Sequence, residues 1–302
     1  MKGIFVATTM KSVPESKIFS TNRTLNIGGR LLDLGTPQVM GVLNVTPDSF
    51  YDGGRYGDEG TILAQATKML EEGAAMIDVG AYSSRPGAAE ITEDEELTRA
   101  LQAIKPIKRE FPQAILSIDT FRSVVARACV QEGAQLINDI SAGCLDPGMI
   151  RTAAELRVPY IAMHMRGTPA TMHQHSKYDD LTKEIADYFH ERIHTLSKSG
   201  VSDIIIDPGF GFAKTREQNF ELLANLSYLK ILGKPIMVGL SRKSMVWKTL
   251  SITPDKALNG TTSLHTLALL SGANILRVHD VREAVEVIRL VAATVRYNEE
   301  VH

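Results

Sequence analysis

The sequence predicts an α/β fold, a single (β/α)₈ barrel preceded by a β-hairpin. Eight short apolar runs suited to buried strands alternate with amphipathic helical stretches. No linker-like segment divides them, which favours one domain. An open doubly wound sheet would show a Gly-x-Gly-x-x-Gly turn after its first strand, and that turn is absent. The closed barrel is therefore favoured over an open sheet.

The beginning of the chain predicts a tail followed by a hairpin. Residues 1–24 carry little periodicity and are expected to form a flexible tail, and residues 25–302 are expected to form the barrel domain. Within residues 25–32, two apolar runs flank Gly28 and Gly29, which is a hairpin signal. We expect this hairpin to plug the N-terminal end of the barrel.

One helix-to-strand joint recurs along the chain and indicates repeated αβ units. A glycine followed by an apolar run occurs at 72–78, 132–138 and 271–277, with a looser copy at 199–207. The glycine suits the left-handed residue that ends a helix, and the apolar run suits a buried strand. Further strands are predicted at 39–43, 115–119, 159–163 and 235–239, and helices at 92–111 and 181–199.

Polar residues end these strands and are expected to face one another. Asp78, Asn138 and Arg277 lie five residues after the joint glycine, and Asp207 lies seven after it. Because side chains alternate along a strand, these odd offsets place all four on one face. Active sites of such barrels lie at the carboxyl ends of the strands. The candidate site residues there are Asn44, Asp78, Asp119, Asn138, His164, Asp207, Ser241, Lys243, Arg277 and His279.

Part of this set suits a flat heterocycle. Asp119 and Asn138 end adjacent strands and offer hydrogen-bond acceptors and donors. Asp207 heads a turn in which glycines permit close approach and Phe212 offers an apolar wall.

A second part of the set suits an anion. Lys243, Arg277 and His279 form a cationic group that, near Asn44, would suit pyrophosphate and its divalent ion. A helix that opens around Ser244 would add backbone amides to this anion site.

Three features each admit two interpretations. Asp78 is either a buried structural carboxylate or a ligand, and His164 is either a core histidine or a site residue. The loop at 44–54 carries the oxygen-bearing side chains of Asn44, Thr46, Asp48, Ser49 and Asp52, and it is either an ordinary capped βα turn or part of the site.

Composition argues against several classes of protein. The net charge is −2 and no basic run occurs, so nucleic-acid binding is not expected. No apolar run approaches membrane-spanning length and no convincing signal peptide begins the chain, so we expect a cytoplasmic protein without membrane contact. Cys129 and Cys144 lack metal-type spacing and fit a reducing compartment. Hydrolase motifs such as Gly-x-Ser-x-Gly are absent.

Several motifs together resemble one family, the dihydropteroate synthases. Asn-Val-Thr-Pro-Asp-Ser-Phe at 44–50, with Asp-Gly-Gly at 52–54, is similar to that family's first active-site loop. Seven ordered matches at strand ends make the resemblance specific, and it runs from about residue 25 to the C terminus. The further matches lie at 77–80 with 83–88, 117–120, 137–141, 163–169, 207–212 with Lys214, 239–244 and 277–281.

The resemblance implies a transferase of folate biosynthesis. Members of the family condense (7,8-dihydropterin-6-yl)methyl diphosphate with 4-aminobenzoate, giving 7,8-dihydropteroate and pyrophosphate. The resemblance further implies a TIM barrel, Mg²⁺ as the cofactor, a homodimer, sulfonamides as inhibitors and a dissociative mechanism. In that mechanism diphosphate leaves first, and the aryl amine then attacks a delocalised pterin methylene cation.

The resemblance also implies roles for individual residues. Asn44 would bind Mg²⁺, and the implied catalytic residues are Asp119, Lys243, Arg277 and His279. The pterin would be held by Asp119, Asn138, Asp207 and Lys243, and the diphosphate by Ser84, Arg277 and His279. The aminobenzoate pocket would be shaped by Phe50, Pro86, Phe212 and Ser244, with Arg85 and Met163 as further substrate-binding positions.

One departure from the family pattern concerns the second loop. The family commonly has Gly-Glu-Ser-Thr-Arg-Pro-Gly, whereas residues 81–87 read Ala-Tyr-Ser-Ser-Arg-Pro-Gly. Ser84 keeps the hydroxyl, but Tyr82 replaces an acid, which puts the contacts between the loops in question.

Three rival functions remain at this stage. A pterin-binding methyltransferase, which moves a methyl group from methyltetrahydrofolate to a corrinoid, would not need both the cationic group and the aminobenzoate loop. An inactive pterin-binding paralogue would be expected to lack Asn44, Arg277 or His279. A Schiff-base aldolase would need burial that lowers the pKa of Lys243, and no such burial is evident from the sequence.

Overall fold

A parallel sheet of eight strands dominates the computed structural model, which describes residues 24–46, 59–83 and 90–300, the last six by backbone only. The strands are β1 (Thr24–Ile27), β2 (Arg30–Asp33), β3 (Gln38–Asn44), β4 (Met76–Gly80), β5 (Leu116–Asp119), β6 (Leu136–Asp139), β7 (Tyr160–Met163), β8 (Ile204–Asp207), β9 (Met237–Val238) and β10 (Ile275–Val278). The order in the sheet is β8-β7-β6-β5-β4-β3-β10-β9, and a bridge between Ile206 and Ile236 joins its two edges. This arrangement confirms the predicted barrel.

Helices connect the strands. They are α1 (Glu59–Glu71), α2 (Glu93–Glu110), α3 (Ser123–Gln131), α4 (Met149–Leu156), α5 (Leu181–Lys198), α6 (Arg216–Ala224), α7 (Ser244–Thr249), α8 (Leu258–Leu270) and α9 (Val281–Glu300). Short 3₁₀ turns lie at Met172–Gln174, Leu226–Leu232 and Pro254–Lys256. Helix α2 begins where the Thr92 side chain accepts a hydrogen bond from the amide of Glu95, and α5 begins where Asp180 accepts one from the amide of Lys183. The described residues include no helix that is both long and apolar enough to cross a membrane.

The predicted joint glycines end their helices in the left-handed region. Gly73, Gly133, Gly200 and Gly272 have φ between 98° and 112°. A residue with a Cβ would be strained at these positions, and glycine lets the chain turn directly from helix into strand.

The predicted hairpin is present and closes the N-terminal end of the barrel. Strands β1 and β2 pair antiparallel, and Gly28 and Gly29 form the turn between them. Leu25, Ile27 and Leu34 are buried against one apolar residue from, or directly before, each barrel strand. These eight residues are Met40, Met76, Ile115, Leu136, Ile161, Ile205, Met237 and Ile275. The opposite end of the barrel is left for polar side chains.

Alternation along the strands sorts the side chains between two environments. Ile77 and Val79 of β4 pack into the core shared with the helices, whereas Asp78 between them makes polar contacts inside the barrel. This alternation is what brings polar residues together at the carboxyl ends of the strands.

Candidate active site

Arg277 lies at the centre of the polar residues that end the strands. Its Nε donates a 2.6 Å hydrogen bond to Asp78, and its Nη2 donates a 2.6 Å hydrogen bond to Asp119. Asn138 donates from Nδ2 to the same oxygen of Asp78, at 2.9 Å. We call Asp78, Asp119, Asn138 and Arg277 the strand-end cluster. The structure thus brings together Asp78, Asn138 and Arg277, which the period-two pattern placed on one face, and adds Asp119 to them.

Asp78 serves within the cluster as a structural carboxylate. It is fully buried, and its Oδ2 accepts from both Arg277 and Asn138. Its Oδ1 has no hydrogen-bond partner among the described residues. Of the two interpretations open from the sequence, these contacts support the structural one: Asp78 orients the guanidinium and the amide beside it.

The charges of the cluster shift one another's protonation. Burial raises the pKa of Asp119 to about 7, with Arg277 opposing that shift and Asp78 adding to it. For Arg277, burial lowers the pKa, but the carboxylates of Asp78 and Asp119 raise it by more, so the net shift is upward. Arg277 therefore stays cationic, while Asp119 changes charge near neutral pH.

Asp207 and Lys243 add an acid and a base. Asp207 ends β8, is buried, and accepts a 2.8 Å hydrogen bond from the amide of Gly209. Burial raises the pKa of Asp207, and the positive charge of Lys243 opposes that shift. Lys243 donates from Nζ to the carbonyl of Phe210, and its Nζ lies 4.9 Å from the ring centre of Phe212. The aromatic wall expected at Phe212 is therefore next to the charged groups.

Lys243 is buried by contacts that were not evident from the sequence. Burial lowers its pKa to about 8, with Asp207 and Asp119 opposing the shift and Arg277 adding to it. The burying segment, which includes Phe210, lies 33 residues earlier in the chain, so local sequence could not reveal it. The Lys243 ammonium faces carboxylates and a carbonyl, which suits an electrostatic role.

The turn before α7 positions His279. Ser241 accepts a 3.1 Å hydrogen bond from the amide of His279, and its hydroxyl lies 3.1 Å from the Nδ1 of that histidine. Arg242 has φ 53° and pairs with Asp280 through two hydrogen bonds of 2.9 and 2.6 Å. Helix α7 then begins at Ser244, as predicted.

His164 packs behind the site with a lysine as its partner. It is 2% exposed, its ring meets that of Tyr188 edge-on at 4.8 Å, and its Nδ1 lies 3.0 Å from the Nζ of Lys214. Burial lowers the pKa of His164 well below its usual range, so the ring is neutral. These contacts support the core interpretation of His164.

Met163 contributes to an apolar wall beside the polar residues. It ends β7 and is 3% exposed. The buried residues packed with it are Ile140, Met165, Met172 and Ala213, and Phe121, Leu145 and Phe212 line the edge of this group.

Asn44 ends β3 directly opposite Gly80 of β4. A Cβ added to Gly80 would lie 3.1 Å from the Oδ1 of Asn44 and 3.7 Å from the Oδ2 of Asp119. The missing side chain at Gly80 thus leaves a small cradle flanked by two oxygens. The described part of the chain holds no group of three or more His, Cys, Asp or Glu side chains that could bind a metal. A metal here would need oxygens supplied by a ligand.

Four residues implied by the resemblance lie outside the described residues: Phe50, Ser84, Arg85 and Pro86.

Arg122, which sequence analysis missed, contacts both flanks of the second loop. Its guanidinium lies 5.6 Å from the ring centre of Tyr82 and donates a 2.8 Å hydrogen bond to the carbonyl of Ile91. It also forms a 2.5 Å ion pair with the buried Glu96. The ring of Tyr82 meets Phe121 edge-on at 5.2 Å. Tyr82 therefore packs on the aromatic ring of Phe121 and the guanidinium of Arg122.

Comparisons with known proteins agree on one family. Residues 40–279 match the model of the pterin binding enzyme family. The chain is 42% identical over 273 residues to the dihydropteroate synthase of Escherichia coli K12, covering 90% of this chain and 96% of that one. It matches a Yersinia pestis dihydropteroate synthase in complex with a sulfonamide drug with a TM-score of 0.85 and 42% identity, over 90% of this chain and 98% of that one. A Xanthomonas albilineans dihydropteroate synthase in complex with 7,8-dihydropteroate matches with a TM-score of 0.81 and 37% identity, over 90% and 98%.

Proposed function

The chain belongs to the pterin-binding enzyme family, as one of its dihydropteroate synthases, and from this premise we propose how its residues carry out the reaction. It is a transferase that condenses (7,8-dihydropterin-6-yl)methyl diphosphate with 4-aminobenzoate, giving 7,8-dihydropteroate and pyrophosphate in folate biosynthesis. The observation that carries the proposal is the ion pairing of Arg277 with Asp78 and Asp119 at the strand ends.

The pterin binds between Asp207 and the strand-end cluster. The Asp207 carboxylate accepts from N–H groups of the heterocycle, and Asn138 and Lys243 contribute donors. Two supports of this pocket are built in before any ligand arrives: Asp78 holds the Asn138 amide, and the amide of Gly209 holds one oxygen of Asp207. Such preorganisation lowers the cost of binding.

The reaction is dissociative, and fixed charges assist both halves of it. The bond between the exocyclic methylene carbon and the diphosphate oxygen breaks, and the electron pair leaves with the diphosphate beside Arg277 and His279. The cation left on the pterin is stabilised by Asp119 and Asp207. The lone pair of the aryl amine then forms the new C–N bond, and the resulting ammonium releases its proton to solvent water. No covalent bond to the protein is required.

The cradle at Gly80 supports a role for Mg²⁺. Asn44 would supply one oxygen ligand, and the diphosphate would bring others, which is how Mg²⁺ is commonly held with phosphates. A bound Mg²⁺ would neutralise charge on the departing diphosphate.

4-Aminobenzoate enters on the apolar side of the pocket. Phe212 and Met163 belong to one apolar wall beside Lys243, and Ser244 begins the helix next to it. The family resemblance implies that Phe50 and Pro86 also belong to this pocket. An aromatic acid fits such a mixed wall, because its ring packs on apolar groups while its amine faces the pterin.

We also propose a homodimer in a reducing cytoplasm. Leu267 and Leu270 of α8 are 51% and 48% exposed, and Leu290 of the neighbouring α9 is 70% exposed. Exposed leucines on two packed helices support the proposal that a second copy covers this surface. Light scattering that shows a monomer at micromolar concentration, or a dimer unaffected by Leu267→Lys, would contradict this face. Cys129 and Cys144 are both free thiols, as a reducing compartment would keep them.

The direct test of the mechanism combines turnover with one charge-removing variant. Purified protein, pterin diphosphate, 4-aminobenzoate and Mg²⁺ should give dihydropteroate, and Arg277→Gln should lower kcat by at least about a hundredfold, because transition-state charge would lose its partner. Arg30→Gln, in the hairpin at the other end of the barrel, is the matched control and should leave kcat unchanged. An Arg277→Gln enzyme with normal kcat would contradict the proposed mechanism.

A further inference from the structure

We propose that Lys214 is a positioning residue that clamps residues 208–213, the turn after β8, and so sets the geometry of both substrate pockets. The hydrogen bonds of Lys214 go to the backbone of this turn and to His164. Lys214 donates from Nζ to the carbonyls of Gly209, at 3.0 Å, and Phe212, at 3.1 Å. Its third contact is the Nδ1 of His164, at 3.0 Å. The Lys214 side chain therefore links two carbonyls of the turn to each other and to His164, the residue that follows β7.

The first consequence concerns Asp207. Gly209 donates its amide to the Asp207 carboxylate, at 2.8 Å, while its own carbonyl is held by Lys214. Gly209 has φ 71°, and a Cβ added there would lie only 2.0 Å from the carbonyl oxygen of His164. The turn is thus pressed against the end of β7, and releasing the Gly209 carbonyl would loosen the residue whose amide orients Asp207.

The second consequence concerns Phe212. Its amide donates to the carbonyl of Gly209, at 3.1 Å, and its own carbonyl accepts from Lys214. Both hydrogen-bonding groups of the Phe212 backbone are therefore fixed through the same small network. The ring of Phe212 projects from this fixed backbone to a position 4.9 Å from the Nζ of Lys243.

The clamp operates in either protonation state of the lysine. Burial lowers the pKa of Lys214 to about 7, opposed by Asp207 and assisted by Lys243 and Arg166. The neutral amine still has two N–H groups for the two carbonyls, and its lone pair can accept from the other tautomer of the neutral His164 ring. The network therefore has a donor for each acceptor on both sides of neutral pH.

Other side chains also hold the turn without touching these carbonyls, among them Lys243, which donates from Nζ to the carbonyl of Phe210. Asn219 accepts from the amide of Gly211, at 2.6 Å, and the hydroxyl of Tyr178 donates to the carbonyl of Ala213, at 3.0 Å. Tyr178→Phe removes one hydrogen bond from the same turn but leaves Gly209 and Phe212 clamped. It is the matched control for general loosening.

The test uses Lys214→Met, which keeps most of the unbranched side chain and removes every donor, and Lys214→Gln, which keeps an N–H donor. Calorimetry with pterin diphosphate and Mg²⁺ gives the Kd, and steady-state assays give KM for 4-aminobenzoate and kcat. We expect the Kd for pterin diphosphate and the KM for 4-aminobenzoate to rise, by about ten- to a hundredfold in Lys214→Met and less in Lys214→Gln. Small misplacements of substrate-positioning groups have effects of this size. kcat at saturation should change less than either constant.

The inference rests on the proposed roles of Asp207 and Phe212, and the controls separate the two levels. If Asp207→Asn leaves the pterin Kd unchanged, the proposed pterin site is wrong. If Asp207→Asn weakens binding but the folded Lys214 variants stay within about twofold of the parent, only the clamp is wrong. Equal losses in Tyr178→Phe and Lys214→Met would likewise overturn it, because general loosening would then explain both. Should Lys214→Met fail to fold, Lys214→Gln gives the same decision.

Discussion

Arg277 on β10 donates a 2.6 Å hydrogen bond to Asp119 on β5, although β3 and β4 lie between their strands in the sheet. The contact therefore reaches across the mouth of the barrel. It places a permanent positive charge beside a carboxyl group whose pKa burial raises to about 7.

This pairing predicts a bell-shaped pH profile. Asp119 is ionised only above its pKa of about 7, so kcat/KM for the pterin diphosphate should rise as pH increases through 7. Lys243 has a pKa of about 8 and loses its charge above it, so the same parameter should fall through 8. Initial rates across this range test the profile. Asp119→Asn should abolish the acidic limb, and a parent enzyme with a flat profile would contradict the assignment.

Asp207→Asn should weaken pterin binding. An amide can oppose one N–H of the heterocycle with another, and loss of a charge-assisted hydrogen bond costs about 1.5–3 kcal/mol. Calorimetry measures the change. Asp203→Asn is the control, because Asp203 accepts from the amide of Asn26 near the N-terminal end of the same strand. Equal pterin affinity in the Asp207 variant and the parent would remove Asp207 from the site.

Removing the divalent ion should stop turnover without unfolding the protein. The cradle between Asn44 and Gly80 lies at the carboxyl ends of β3 and β4, away from the apolar layer under the hairpin, so the thermal midpoint should be unchanged by a chelator. Asn44→Ala and Gly80→Ala should both raise the Mg²⁺ concentration needed for half-maximal activity, the second because its Cβ would sit 3.1 Å from the Asn44 oxygen. Full activity in excess chelator would exclude the proposed role for Mg²⁺.

His265 should make folding stability depend on pH. This residue of α8 is 1% exposed, its ring nitrogens have no hydrogen-bond partner among the described residues, and burial lowers its pKa from 6.5 to about 4. Between these values the unfolded chain binds the extra proton, so stability falls as pH drops from 6.5 to 4, by on the order of 3 kcal/mol. The free energy of unfolding, measured with urea at several pH values in this window, should depend less steeply on pH in His265→Leu than in the parent. Identical slopes would rule out His265 as the source.

Leu25→Ala should destabilise the whole domain. Leu25 is 1% exposed in the apolar layer between hairpin and barrel, and truncating a buried leucine to alanine costs about 2–5 kcal/mol. Leu31, on the same hairpin, is 68% exposed, and Leu31→Ala should be nearly neutral. Denaturant unfolding compares the two, and similar losses for both would mean that the hairpin does not plug the barrel.

The barrel was predictable because its signals are local. The joint glycines specify where helices end, and the apolar runs behind them specify strands, so strand ends such as Asp78 and Arg277 followed from counting. Their hydrogen bond joins residues 199 positions apart, but period-two alternation still predicted a shared face. Family resemblance then supplied the reaction, which alternation cannot.

What the sequence did not reveal depends on contacts between distant segments. The His164–Lys214 contact spans 50 positions, and nothing near either residue marks the other as its partner. The pKa of Lys243 depends on burial by a turn from another strand. Lys214 did carry one signal, since it follows the glycine turn within a matched motif. The sequence did not show that the Lys214 side chain points toward the carbonyls of that turn.

The closure of the barrel between β8 and β9 has a consequence for how ligand and scaffold support each other. Strand β9 has two residues, and Ile206 makes the bridge to Ile236 and donates its amide to Pro235. Because backbone pairing between β8 and β9 is sparse, the barrel should open locally most easily there. Amide hydrogen exchange should therefore be fastest at these two strands among the barrel strands. Asp207 ends β8 and Lys243 follows β9, so a pterin bound by both residues would link the two strands. Bound substrate should then slow amide exchange at β8 and β9 more than at the strands opposite, which means that the substrate would stabilise the closed form of the barrel.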